Sequence, residues 1–140
     1  MSVTLNPYLN FRAQAKDAME FYQSVFGGEL TSMTFADAGG MGVPEEEQGQ
    51  IMHAQIDVPG VLTLMGADTP SHMELAPVGG MSVSLSGDDE ATLRGYWDGL
   101  SAGGQVQVPL EKAPWGDTFG MFVDKFGVPW LVNIAGEQAG

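Results

Sequence analysis

The sequence predicts an α+β fold made of two tandem βαβββ modules. Three observations carry this reading. A hairpin skeleton occurs twice: Ile56-Asp57-Val58-Pro59-Gly60-Val61 and Val123-Asp124-Lys125-Phe126-Gly127-Val128 each read aliphatic, Asp, two variable residues, Gly, Val. The landmarks upstream repeat in the same order, Phe21-Tyr22 before Gly27-Gly28 and Tyr96-Trp97 before Gly103-Gly104. Between these landmarks, helical spacing gives way to the two-residue alternation of half-buried strands.

The elements follow in chain order. In residues 5–11, Leu5, Pro7, Leu9 and Phe11 alternate with Asn6, Tyr8 and Asn10, which predicts a strand. In residues 15–26, Ala18, Phe21, Tyr22, Val25 and Phe26 form one helical stripe, and Gly27-Gly28 stops the helix. Residues 29–35 read as a strand. Residues 37–49, with four glycines and the run Glu45-Glu46-Glu47, read as an inserted mobile loop. Gly40-Met41-Gly42 within it lacks the third glycine and the strand-to-helix setting of a nucleotide fingerprint.

Residues 51–58 form a strand with Met52, Ala54, Ile56 and Val58 on its apolar face and His53 and Gln55 on the other; residues 60–65 return. The proline-bearing stretch 67–78 is a connector. In the second half, Met81, Val83 and Leu85 alternate with Ser82, Ser84 and Ser86. Asp88-Asp89-Glu90 opens a helix whose buried stripe is Leu93, Tyr96, Trp97 and Leu100. Residues 105–110 form a strand. Residues 115–133 form the closing hairpin, in which Asp124 and Gly127 supply the turn and Pro129 starts the last strand. Residues after Ile134 read as a frayed tail. The boundaries are a first module over about 4–66, the connector, and a second over about 79–135, together one domain of 1–140.

Composition narrows the function. With 140 residues the chain can bury a core without staples. It has no cysteine, which removes disulfides, thiolate metal sites and cysteine nucleophiles and suits a cytoplasmic protein. The N-terminus shows no basic, apolar signal segment, and no run approaches a membrane span. The formal net charge is −13, with five Lys and Arg in all, which argues against nucleic acid and anionic membranes as partners. No glycine-rich strand-to-helix loop suits a nucleotide-type cofactor such as S-adenosylmethionine, and no nucleophile elbow is present.

Pro7-Tyr8-Leu9-Asn10-Phe11, Ala18 with Phe21-Tyr22, Phe26-Gly27-Gly28, and the block from Trp115-Gly116 to Phe126-Gly127-Val128-Pro129-Trp130 together resemble the glyoxalase/bleomycin-resistance superfamily, the vicinal oxygen chelate proteins, in its PhnB-like branch. The resemblance implies a cup-shaped mixed sheet with helices on its convex side, a ligand cavity in the cup and a homodimer. It also implies a facial metal site on four strand positions, which carry over to Asn6, Leu64, Gly80 and Leu131. Two leucines and a glycine offer no donor and Asn is a poor one, so no metal cofactor is expected.

The residues expected to contact a small molecule are Asn6, Tyr8, Asn10, His53, Gln55, Trp115 and Phe122. His53 is the one catalytic candidate, either a hydrogen-bonded group on a sheet surface or an acid, base or donor inside the cup. Two classes of function stay open: a metal-free binding protein, or an enzyme of lyase, isomerase or dioxygenase type using His53 or a divalent metal in a non-standard position. Asp57 and Asp124 read as equivalent hairpin residues.

Overall fold

The computed structural model describes residues 3–75 and 80–136, and these form two compact units. The first holds strand β1 (Tyr8–Phe11), helix α1 (Ala15–Phe26), β2 (Glu29–Thr34), β3 (Ile51–Val58) and β4 (Leu62–Asp68). The second holds β5 (Val83–Gly87), α2 (Glu90–Ser101), β6 (Gln105–Lys112), β7 (Thr118–Val123) and β8 (Pro129–Ile134). Each sheet has the same topology, β1-β4-β3-β2 and β5-β8-β7-β6, with the first strand parallel to the last and the other pairs antiparallel. The predicted α+β fold of tandem βαβββ modules is therefore the fold observed. No helix among the described residues is long and apolar enough to cross a membrane.

In the first unit, α1 packs across the sheet with Ala15, Ala18, Met19, Tyr22 and Phe26 buried. Phe21 and Val25, assigned to the buried stripe by their spacing, are only half-buried; Ala15 and Met19 take their share. The Met19 sulfur fits against Gly66 of β4, where no Cβ intervenes. In the second unit Leu93, Trp97 and Leu100 are buried, and Trp97 meets the ring of Phe122 edge-on at 5.0 Å.

The two helices begin differently. Asp89 caps α2 locally, its carboxylate accepting from Thr92 N at 3.1 Å. Nothing local caps α1. Instead buried Asp68, at the end of β4, accepts from Ala15 N at 2.9 Å and from Ile51 N at 3.0 Å. Pairing with Asn10 and Phe11 of β1 carries β4 through Ala67 and Asp68, two residues into the stretch read as connector. Of that connector, residues 76–79 lie outside the described residues.

Register corrects the repeat. Glu29 pairs with Asp57 and Gln105 with Val123, while across the hairpins Asp57 pairs with Thr63 and Val123 with Pro129. Asp57 is therefore the counterpart of Val123, and Asp124 is the counterpart of Val58. The glycines agree: a Cβ on Gly28 would collide with the Asp57 carbonyl, and one on Gly104 with the Val123 carbonyl. Of these two aspartates it is Asp124 that organises its turn, accepting from Phe126 N, Val128 N and the Trp130 indole N–H.

Other boundaries shift too. Only Tyr8–Phe11 of the first predicted strand is strand, and Leu5 is 99% exposed. The loop 37–49 is tied down rather than loose. Its Glu45–Glu47 segment forms a 3₁₀ turn, Val43 is buried, and the Gln48 amide donates to the Gly40 and Val43 carbonyls. Glu47 accepts from Ser71 N at 2.7 Å and from Ser71 Oγ at 2.6 Å. Beyond β8, Ala135 N donates to Gly87 O and Gly136 N to Asp117, so the expected fraying does not begin there; residues 137–140 lie outside the described residues.

Candidate functional site

The site is built from strand alternation. Ala54 and Ile56 of β3 and Leu64 and Gly66 of β4 face α1 and are buried. Their neighbours His53, Gln55, Asp57, Thr63 and Met65 therefore stand on the helix-free face of the first sheet. Tyr8 joins them from β1, opposite Met65, which is itself opposite Gln55. An irregularity in the β2–β3 pairing lets Met33 oppose His53 and Thr34 oppose Ile51, leaving Met52 as the extra residue. The result is a row of polar side chains across three strands.

They form one connected chain. The Tyr8 hydroxyl lies 3.3 Å from His53 Nδ1, with ring centroids 5.7 Å apart. His53 Nε2 lies 3.4 Å from Gln55 Oε1. Gln55 Nε2 donates to both Asp57 oxygens at 3.0 Å, and Thr63 Oγ1 donates to Asp57 Oδ1 at 3.1 Å. The Gln55 Nε2 contact is shared between both Asp57 oxygens at 3.0 Å, whereas the contacts at His53 are longer, at 3.3 and 3.4 Å. Partial burial holds the Tyr8 phenol above its ordinary value of 10.0, so it keeps its proton at neutral pH. The arrangement can offer a ligand a phenol oxygen and an imidazole whose far side is linked through the Gln55 amide to a carboxylate.

Of the residues expected to contact a ligand, the structure brings Tyr8, His53 and Gln55 into one hydrogen-bonded group. Asn6 lies before β1, where its amide donates to Thr4 Oγ1. It shares a shallow groove of about 400 Å³ with Asp57 and Thr63, at the hairpin end of the same face. Asn10 lies at the other end, lining a hollow of about 240 Å³ with Met41, Met52, Met73 and His72.

Trp115 and Phe122 belong to the second unit. Trp115 is 64% exposed and meets Phe119 edge-on. Phe122 is a correction: it is fully buried between Trp97 and Trp130 as the counterpart of Ile56, so it is core under α2 and not the wall of a site. The counterparts of Gln55 and His53 in the second unit are Met121 and Phe119; Ser84 and Ser86 of β5 and Asn133 of β8 share that helix-free face, so it is polar in part but has no counterpart of the His53–Gln55 pair. Sequence reasoning missed Asp57 and Thr63. The signal for Asp57 was present in His53-x-Gln55-x-Asp57, one face of a strand, but the hairpin match at Asp124 masked it.

The four positions to which the resemblance carries a metal site offer no donor set for one. Leu64 is buried toward α1, Gly80 has no side chain, Leu131 is hydrocarbon and Asn6 is an amide. The helix-free neighbours of Leu64 are Thr63 and Met65, neither a suitable donor for Zn²⁺ or Fe²⁺. Among the described residues no three His, Cys, Asp or Glu side chains converge as a metal site.

A family model described as the glyoxalase/bleomycin resistance protein/dioxygenase superfamily matches residues 4–132. Protein YjdN of Escherichia coli strain K12 is 29% identical over 147 residues, covering 96% of this chain and 97% of its own. The crystal structure of protein PA1353 from Pseudomonas aeruginosa superposes with a TM-score of 0.85 at 34% identity, over 97% of this chain and 100% of that one. The structure of a PhnB protein from Bacillus cereus, described as a putative 3-demethylubiquinone-9 3-methyltransferase, shares the fold with a TM-score of 0.73 at 24% identity, over 95% of this chain and all of its own. With its two βαβββ modules and a family match that spans both, the chain belongs to the glyoxalase/bleomycin resistance protein/dioxygenase superfamily and has PhnB-like structural neighbours.

Proposed function

We propose that this is a cytoplasmic, homodimeric protein that binds a small molecule on the helix-free face of the first sheet, without the superfamily's metal. The observation that carries the reading is the Tyr8–His53 contact, backed through Gln55 by the Asp57 carboxylate. A merely solvated sheet surface has no need for five side chains linked end to end, while a recognition site needs its polar groups held in place before the ligand arrives. The hollows at either end of the row give a ligand somewhere to put its remaining surface. Asn6 and Asn10 stand beside those hollows as further hydrogen-bond partners, and Trp115 stays a candidate aromatic contact.

A second reading uses the same residues as an enzyme. An imidazole placed between a phenol and an amide-linked carboxylate is equipped to take and return a proton, and that wiring is the specific reason to keep it. One experiment addresses both: a panel of small molecules titrated into wild-type protein and into His53→Ala. Binding in the variant is expected to weaken by about 1–3 kcal/mol, the cost of leaving a buried polar group unpaired. The melting temperature and the metal content should stay nearly unchanged. A stoichiometric metal that disappears in His53→Ala would overturn metal-free binding and favour the enzyme.

A further inference from the structure

The hydrogen-bond network has a direction, and the direction selects a ligand class. A carboxylate can only accept, so the NH₂ of Gln55, 3.0 Å from both oxygens of Asp57, must face it. The amide oxygen then points the other way, 3.4 Å from His53 Nε2. An oxygen there requires the proton of the neutral imidazole to sit on Nε2. Nδ1 is left with its lone pair, 3.3 Å from the Tyr8 hydroxyl, which donates its only proton to it. What remains exposed at Tyr8, 44% accessible, is an oxygen with lone pairs and no proton to give.

We propose that Asp57, acting through Gln55 and His53, turns Tyr8 into a hydrogen-bond acceptor, and that the ligand presents a donor there, an amine in preference to a carboxylate. This rests on the helix-free face being the binding site. Two further features fit an amine carried on an apolar body. Glu29, opposite Asp57 on β2, adds a second carboxylate to the same face, and the net charge of −13 draws cations toward the molecule. The hollow beside Asn10 is lined by the thioethers of Met41, Met52 and Met73, which adapt to a ring better than branched side chains do. Toward Tyr8 Asp57 is a positioning residue, since it acts there only through Gln55 and His53.

The test uses benzylamine and benzoate, a shape-matched pair of opposite polarity, and ¹⁵N spectra of the histidine rings. At a pH where those spectra show His53 neutral, its proton is expected on Nε2. Benzylamine should perturb Tyr8 and His53 and bind roughly tenfold more tightly than benzoate, the worth of one hydrogen bond to a charged group. Tyr8→Phe, at a half-exposed position, should remove that preference. Asp57→Asn, which can turn either an oxygen or an NH₂ toward Gln55, should mix the two tautomers and reduce the preference. A wild-type proton on Nδ1, or a benzoate preference, overturns the polarity assignment even if the site binds. A benzylamine preference that survives Tyr8→Phe is net charge acting at a distance and overturns it as well. A proton on Nε2 with no perturbation at Tyr8 or His53 by either probe defeats the binding reading instead, and the ligand class falls with it.

Discussion

Asp124 shows how much one side chain can hold. It is 3% exposed, and its carboxylate accepts from two backbone N–H groups of its own turn and from the Trp130 indole at 2.8 Å. Trp130 is itself 1% exposed and stacks parallel to Phe122, so the indole N–H has no access to water. Replacing Asp124 by Ala strands those donors and is expected to cost about 2–4 kcal/mol in a urea unfolding experiment. A loss below about 1 kcal/mol would show that the donors find other partners. At this scale the sequence was legible wherever shape and period agreed: Trp130 alternates in step with Val132 and Ile134, and all three are core. Phe122 was misread because Gly120, its alternation partner on the helix side, gives no hydrophobic signal. Gly120 is bare because Trp97 occupies its face; a Cβ there would sit 2.6 Å from the indole ring.

Among the elements, the loop 37–49 departs furthest from expectation. Glycine content and acidic charge predicted mobility, yet Glu47 fastens it to Ser71 of the chain following β4. The hydrogen bonds from Ser71, then the positive fields of His72 and Arg12, hold the Glu47 carboxyl below its ordinary value of 4.5. A carboxyl depressed in the folded state contributes stability that is fully present above the unfolded value and lost as pH falls through the folded one. Amide exchange at Ser71 and at residues 48–50 should therefore accelerate, relative to β3, only below about pH 4.5. Glu47→Gln should show that faster exchange already at pH 7. Equal protection of this loop at pH 7 and pH 3 would mean that other contacts hold it. Such a fastening is a tertiary pairing between residues 24 apart, and no local pattern in the sequence encodes it. The helix stops were legible because Gly27 and Gly28 after α1 and Gly103 after α2 take positive φ, a local demand that glycine meets without strain. The one-residue offset between the two hairpins was not, because both turns use Gly after a variable pair and only pairing register tells them apart.

At the level of the whole molecule, the repeated topology produces two sheets that share a framework and differ in surface. The first carries the Tyr8 network on its helix-free face, and the second carries Phe119 and Met121 at the equivalent positions. The repeat was readable because hydrophobic period and glycine punctuation are preserved in both halves. The network was only half readable: His53 and Gln55 stood out by residue type, but its closure onto Asp57 and Tyr8 depends on register across three strands. Among the described residues each sheet ends in strands with one unpaired edge, β1 and β2 in the first and β5 and β6 in the second, and such edges suit the pairing between subunits that the proposed dimer calls for. Light scattering at micromolar concentration should accordingly give twice the 14.8 kDa chain mass; a monomer would count against the proposed dimer. The central claim is that ligands meet this protein at Tyr8, His53 and Gln55. Protein-observed NMR with a mixed library of small polar and aromatic fragments tests it most directly. The account predicts that shift changes converge on those three residues, with Asp57 and Met52 following. Shifts that converge instead on the hollow of about 330 Å³ lined by Arg94, Trp97 and Leu110, or that leave Tyr8 and His53 untouched, would contradict it.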